Sequence, residues 1–468
     1  MSKKSVAIIG GGVAGIATAL PLADAGFDVT LYEKRPLLGG RASSYIDPQT
    51  GERLDECQHG TMRCCTYLTD LLEKLGVQDQ IDYHDVLAFL DSEGNYSEIK
   101  GCGLPAPLHT SLSFLAFKSL GLRDKIGIAN AMIAMLRAGK RPEHHQETIA
   151  AWFQRHGQTP RAIQRFWRPI LISACNEELE RTACAYAFKI FVEGFLCHPR
   201  AFHFGVPKVP LGSLYTEPTL AYLEKRESRA FTRTIVDSVE VEGNHIASIT
   251  LQNGAVVTAD YYVSALQFDL LLKILPAHLT EGVPYFENLK KMELSPLAGV
   301  HIWFDRPIEC PPALALLDRE TEWIFNKTKT WSLPQGAGTY LSMVISASHR
   351  FAKTPKEELL RIVLADVRAA LPTAREANVV RSQVVRWPKG TLVPAPGVDA
   401  LRPSQRSPVP NLFVAGEWTD TGWPSTMESA VRSGYRAAEY LLKEAGLARS
   451  LTVQELPIAG LARGLLRR

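Results

Sequence analysis

Two observations predict a discontinuous α/β fold with an α+β domain inserted into it. A strand–turn–helix–strand unit opens the chain at residue 5, and an apolar strand followed by a helix closes it near residue 440. Between them the pattern turns helical, then alternating, then mixed. A parallel sheet whose halves lie at the two ends of the chain must carry its second domain as insertions.

The opening unit is the best defined. Val6, Ala7, Ile8 and Ile9 form a short apolar run of the kind a buried parallel strand needs. Gly10, Gly12 and Gly15 follow in G-x-G-x-x-G register, and an Ala- and Leu-rich helix from Ile16 to Ala25 stops at Gly26. The first glycine makes the tight turn, the second lets backbone amides approach a pyrophosphate, and the third lets helix pack on strand. A second strand, Asp28 to Tyr32, delivers Glu33, an acid placed to accept hydrogen bonds from a ribose hydroxyl pair. This is a Rossmann-type unit, and it predicts a bound dinucleotide.

From Pro105 to about Arg200 the chain is helical and rich in large apolar residues. Near Val206 it returns to short strands, with turns at Gly243-Asn244 and Asn253-Gly254. A mixed segment from Phe268 to Val393 contains the strand Gly299 to Phe304 and a helix beginning at Pro355. Leu412 to Ala415 form the closing strand, Gly416 allows close approach, and Glu417 offers a carboxylate. Ser425 and Glu428 stand at capping-box spacing before the last helix. The expected division is 1–104, 205–267 and 394–445 for the nucleotide domain, 105–204 and 268–393 for the substrate domain, and 446–468 for a basic, amphipathic tail.

The composition is that of a globular protein. In 468 residues, 46% are hydrophobic and 22% charged, with a net charge of +3, too slight to argue for nucleic acid. The eight cysteines form no C-x-x-C pair and no zinc spacing, so no metal is expected. No signal peptide fits before the first strand, and no apolar run is long enough to span a bilayer. The expected location is cytoplasmic, peripheral to the inner face of the cell membrane.

After Glu33 the chain reads Lys34-Arg35-Pro36-Leu37-Leu38-Gly39-Gly40-Arg41. Here it resembles the flavin-containing amine oxidase and carotenoid desaturase superfamily, in which an acid followed at this spacing by Gly-Gly-Arg marks FAD binding. The resemblance implies cofactor contacts at Gly10, Gly12, Ala14, Gly15, Glu33, Lys34, Gly40, Arg41, Val236, Gly416, Glu417, Thr426 and Met427. No second G-x-G-x-x-G follows a strand, which argues against a built-in NADPH module. Ala298-Gly299 stand where amine oxidases often carry a lysine, which argues against amine oxidation.

Three further stretches are similar to the hydroxysqualene dehydroxylases, a squalene-associated FAD family of hopanoid synthesis. They are Leu54 to Gly60, in which Asp55, Gln58 and His59 match; Phe166 to Glu177 with Val206 to Tyr215; and Asn411 to Tyr435, above all Trp418 to Pro424. Glu56, Cys57 and Gly60 depart from the family's form. The resemblance implies reductive dehydroxylation of hydroxysqualene to squalene, with an allylic carbocation quenched by hydride from flavin N5. A carotenoid-type desaturase or an amine oxidase is the alternative enzyme on this fold, and a prenyl-lipid carrier the non-enzymatic alternative. His59 is the expected proton donor with Asp55 orienting it, and Asp420 and Glu428 are the other candidates. Phe114, Leu115, Phe117, Trp167, Ile170, Leu171, Phe188, Phe191 and Phe195 are expected to line a tunnel for a C30 chain. The electron donor is not identified by the sequence. The helical insert and the leucine–arginine tail, with Arg449, Arg463, Arg467 and Arg468, are expected to meet the membrane surface.

Overall fold

The apolar runs at the two ends of the chain meet in one parallel sheet. In the computed structural model, which describes residues 3–139, 141–333 and 338–466, β1 (Ser5–Ile9) lies between β2 (Asp28–Tyr32) and the strand Tyr261–Ser264. The strand Leu412–Val414 pairs parallel with the far side of Tyr261–Ser264, and Arg229–Phe231 with the far side of β2. β1 is buried on both faces, as its unbroken apolar sequence requires. The helix α1 (Val13–Asp24) packs on one face against the last long helix, Met427–Glu444. They meet at Gly434, where an added Cβ would lie 2.5 Å from the Ala14 carbonyl oxygen.

A seven-stranded sheet forms the second body. Its order begins with Val379–Leu392, Leu294–Phe304 and Thr339–Ile345, and continues through Trp323–Asn326, Ala313–Leu316, Val86–Leu90 and Tyr96–Lys100. The hairpin Val86–Leu90/Tyr96–Lys100 therefore belongs to the inserted domain, and the boundary expected at 104/105 falls before Val86. The pairing Leu314 to Ala88 decides this. A second correction concerns residues 268–292. Phe268, Leu271, Phe286 and Leu289 are buried with Ile9, Tyr262 and Val414, on the nucleotide side.

The helical insert from residue 108 onward builds an aromatic core. Trp167 stacks on Phe153 at 4.8 Å and meets Phe191 edge-on at 4.6 Å. Two π-helical turns, Ile163–Trp167 and Val192–Leu196, set these rings off the regular helical repeat. Of the residues expected to line a tunnel, Phe117, Trp167, Leu171 and Phe191 are instead fully packed in this core, and Leu115 lies on the outside.

The tail is also different from expectation. Pro457 and Gly460 interrupt the leucine–arginine pattern, and among the described residues of the tail only Ala462–Leu465 is helical. Residues 447–459 form an extended strap. The Leu451 N–H donates to Glu439, Glu455 pairs with Arg432, and the Ala459 N–H donates to the Cys197 carbonyl. Leu451 and Val453 pack on the nucleotide domain, and Leu465 and Leu466 on the helical core. Arg467 and Arg468 lie outside the described residues. No helix among the described residues is long and apolar enough to cross a membrane.

Candidate functional site

β1, the glycine turn and the start of α1 place backbone amides at one end of the parallel sheet. Glu33 leaves β2 and turns back on this turn. Its Oε2 accepts the Gly11 N–H and its Oε1 the Arg35 N–H, both at 2.8 Å. The Thr234 N–H donates to the Glu33 carbonyl, and Val236 begins the next strand two residues on. Gly15 is the packing glycine, since a Cβ there would lie 2.0 Å from the Gly10 carbonyl oxygen. Gly12 is different. Its Cβ would meet only the Gly40 Cα, at 3.8 Å, so side-chain room exists between the two glycine turns.

The second turn, Gly39-Gly40-Arg41, bridges to the first through the Gly39 N–H and the Gly11 carbonyl, 2.8 Å. Both residues before the arginine take positive φ, 104° at Gly39 and 63° at Gly40, a conformation that favours glycine. Arg41 ion-pairs with Glu417 and donates to the Gly390 carbonyl. Glu417 Oε1 is buried and has no protein partner, which leaves it free to accept from a ligand hydroxyl. Lys34 is exposed, and it is Arg35 that reaches this turn, with Nη1 donating to Glu56 Oε1 at 2.7 Å and to the Gly40 carbonyl at 3.2 Å.

The closing strand supplies the other side. The Gly416 N–H donates to Ser433 Oγ, and the cap of the last helix is Thr426, whose hydroxyl accepts the Ser429 N–H. The cap is therefore one residue later than expected, at Thr426 rather than Ser425. Ser425 Oγ instead accepts from Leu392, and Glu428 caps a different helix through the N–H groups of Tyr67 and Leu68 while pairing with Arg432. With these partners Glu428 holds structure rather than donating a proton to substrate. Asp420 is exposed, and only its backbone is engaged by the loop. Met427 accepts the Tyr215 hydroxyl through its sulfur and lies in a small cavity with His59.

His59 and Asp55 do not form the expected donor pair. His59 Nδ1 lies 3.0 Å from the Cys57 carbonyl, so the N–H sits there and donates. Burial pushes the ring below its ordinary pKa, which works against its serving as the proton donor. Asp55 Oδ1 accepts from Leu211 N–H at 2.8 Å and Ser44 Oγ at 2.9 Å, and its Oδ2 accepts from Lys327 Nζ at 2.8 Å. The Lys327–Asp55 pair is fully buried, 0% exposed on both sides, and joins the two domains.

Three important side chains were missed by sequence reasoning. Lys327 is one and Arg35 another. Arg402 is the third: it is buried and donates to the carbonyls of Glu417, Thr419 and Trp423 and to the hydroxyls of Thr421 and Tyr186, fixing the Trp418–Pro424 loop. No local motif marks any of them. Among the described residues no cluster of potential metal ligands occurs.

Two facing glycine turns, an acid at the end of β2, paired arginines and an unpartnered carboxylate oxygen define a dinucleotide-binding flavoprotein with an inserted second domain. The profile described as flavin containing amine oxidoreductase matches residues 13–442. The chain belongs to that family, and its cofactor is FAD. It is 26% identical to zeta-carotene desaturase of Synechocystis sp., covering 93% of this chain and 97% of that one. It is 24% identical to 15-cis-phytoene desaturase of Glycine max, covering 95% and 80% respectively. Among solved structures, an oxidoreductase from Methanosarcina mazei superposes with TM-score 0.72 at 15% identity, covering 92% and 98%. Cyclohexylamine oxidase from Brevibacterium oxydans gives 0.67 at 18%, covering 95% and 100%. The protein is thus an FAD-dependent oxidoreductase of the amine oxidase and desaturase superfamily.

Glu33→Ala is expected to release FAD and to cost about 1–3 kcal/mol of stability, because buried backbone donors lose their acceptor. Flavin content after purification and the denaturation midpoint check this. Full flavin occupancy in the variant would remove Glu33 from the cofactor site.

Proposed function

We propose that the enzyme moves a hydride between FAD and a long, apolar isoprenoid chain. One observation carries the substrate class: relatives aligned over more than nine-tenths of the chain are named for zeta-carotene and 15-cis-phytoene, both long isoprenoid hydrocarbons. Gly299 and Ala298, where amine oxidases often carry a lysine, fit a hydrocarbon better than an amine. Bound FAD supplies the hydride acceptor or donor, and the chain's own groups orient the substrate and handle the proton.

The relatives' names favour the oxidative direction, desaturation, in which a saturated carbon pair loses a hydride and a proton. A second reading is favoured by the Leu54 to Gly60 loop, whose Asp55, Gln58 and His59 resemble the hydroxysqualene dehydroxylases. In that direction the substrate hydroxyl takes a proton and leaves as water, and hydride reaches the carbon. Anaerobic single turnovers separate the two. Oxidised enzyme with zeta-carotene or phytoene in vesicles should bleach the flavin and yield product two hydrogens lighter. Reduced enzyme with hydroxysqualene should reoxidise the flavin and yield squalene. Silence in both arms would sink the isoprenoid reading.

Such substrates reside in lipid, and the structure offers a surface to meet it. Leu112, Leu115, Leu122 and Ile126 are 59%, 58%, 71% and 54% exposed on the helical insert, beside exposed Lys118 and Arg123. Leu461 of the strap is also exposed, just before the short helix that lies against Leu122–Ala138. We propose that this face, rather than a free tail, rests on an anionic bilayer. The protein is expected to float with anionic vesicles at low salt. The triple change Leu112→Ser, Leu115→Ser, Leu122→Ser should weaken partitioning about a hundredfold, from the apolar area it removes. Unaltered flotation of that variant would move the contact elsewhere.

A further inference from the structure

We propose that Glu56 is a cofactor-side residue that binds FAD in its protonated form, so that loading the cofactor takes up a proton. This deepens the flavoprotein assignment and needs no assumption about substrate.

The geometry is that of two arginines flanking the Gly39–Arg41 turn, each neutralised by a buried carboxylate. Arg41 pairs with Glu417, and Arg35 pairs with Glu56. The Glu56 side chain is only 8% exposed. Its Oε1 is held by Arg35, but its Oε2 is buried with no protein partner. Arg35 ties Glu56 to the turn itself, since the same Nη1 donates to the Gly40 carbonyl, and its guanidinium lies over the Trp387 ring at 5.0 Å.

A pyrophosphate brought to this turn carries negative charge toward a site where Glu56 already neutralises Arg35. Like charges disfavour one another at close range, most strongly out of water. Protonating Glu56 removes the competing anion, returns the charge of Arg35 to the phosphates, and makes Oε2 a hydroxyl donor. The electrostatic surroundings allow this at neutral pH. Arg35 holds the carboxyl down, but burial and the adjoining Asp55 outweigh it and push Glu56 up to about 7. Tyr45 faces it from the strand Ser44–Ile46, near Arg381, and His301 lies against the Glu56 and Asp55 carbonyls from the strand Leu294–Phe304. Cys57 follows in the chain, its thiol pushed up by burial and by both acids.

Two other buried carboxyls are pushed up to about 7, and neither stands at this turn. Glu428 is engaged by two backbone N–H groups and Arg432, and Glu322 accepts from the Ser346 N–H in the other sheet. Glu56 departs from the form expected of the loop it occupies, so the coupling belongs to this chain's own sequence.

Linkage sets the expected size. Above the pKa of the free protein each pH unit weakens a proton-coupled ligand by up to tenfold. The FAD dissociation constant, from free-flavin fluorescence on diluting the holoenzyme, should rise about fivefold between pH 7 and pH 8, steepening toward tenfold per pH unit above that. In E56Q, neutral at every pH, the constant should stay flat and match the wild type at pH 6. Calorimetry of FAD binding to the deflavinated full-length wild type, in two buffers of different ionisation enthalpy at pH 7.5, should show uptake of about three-quarters of a proton. This arm does not depend on the variant folding. Zero uptake, or an E56Q protein that keeps the wild-type pH slope, overturns the proposal. Since no substrate is present, failure of the isoprenoid reading leaves both arms intact.

Discussion

Lys327→Met is expected to lower folding stability by about 3–5 kcal/mol, the cost of leaving a buried charge without its partner. Lys327 and Asp55 are both removed from water, and 272 positions separate them along the chain. Burial alone pushes the lysine below its ordinary pKa, and Asp55 is what opposes that. Removing the ammonium leaves Asp55 with only the Leu211 N–H and the Ser44 hydroxyl. The ring of Trp331, which the Nζ overlies at 4.2 Å, loses its cation as well. The double variant Asp55→Asn, Lys327→Met should recover most of the loss, because Asn keeps an acceptor for both donors and carries no charge. Denaturation midpoints of the two proteins decide the matter. A single variant as stable as the wild type would show that the pair contributes nothing net.

Gly12→Ala should abolish FAD retention in a protein that folds normally, whereas Gly15→Ala should damage the fold itself. The contrast follows from what each new methyl would meet. At Gly12 the nearest atom is 3.8 Å away, so the protein tolerates the methyl and only a pyrophosphate passing between the glycine turns would not. At Gly15 the methyl would lie 2.0 Å from a backbone oxygen, which no rotamer change relieves, and α1 must lift from the turn. Affinity loss of a hundredfold or more is expected at Gly12, consistent with about 3 kcal/mol for a lost and obstructed charged contact. Flavin content with circular dichroism separates the cases. Normal flavin content in Gly12→Ala would place the pyrophosphate elsewhere.

The residues that could be read from sequence are those whose partners are near in the chain. The strand Asp28–Tyr32 was legible to the residue, because its alternation, Gly26 before it and Glu33 after it are local signals. The cap of the last helix reads from sequence as Ser425 rather than Thr426 because two hydroxyl residues stand side by side, and only the first helical turn shows which one caps. From sequence, residues 86–100 read as part of the nucleotide domain, and their place in the second sheet rests on the distant pairing of Ala88 with Leu314. The tail read as amphipathic because leucines and arginines alternate. Pro457 and the docking of Leu465 on the helical core decide otherwise. Lys327, Arg35 and Arg402 carry no pattern. A charged residue looks like a surface residue until the fold supplies the carboxylate or carbonyls that permit its burial.

The order of strands in the parallel sheet has a consequence for how the protein is made. β1 is made well before its neighbour Tyr261–Ser264, which is synthesised some 250 residues later, and the strand beyond that later still. Until then β1 presents an open hydrogen-bonding edge and α1 lacks the helix carrying Gly434 that should cover it. Half-made chains therefore expose a sticky sheet edge for most of translation, the state in which aggregation and chaperone capture compete with folding. The two glycine turns form early, but Glu417 and Thr426, which complete the cofactor's surroundings, come last. Flavin capture thus marks a completed nucleotide sheet, and a premature stop anywhere before residue 412 should yield colourless, insoluble protein rather than a partly active fragment.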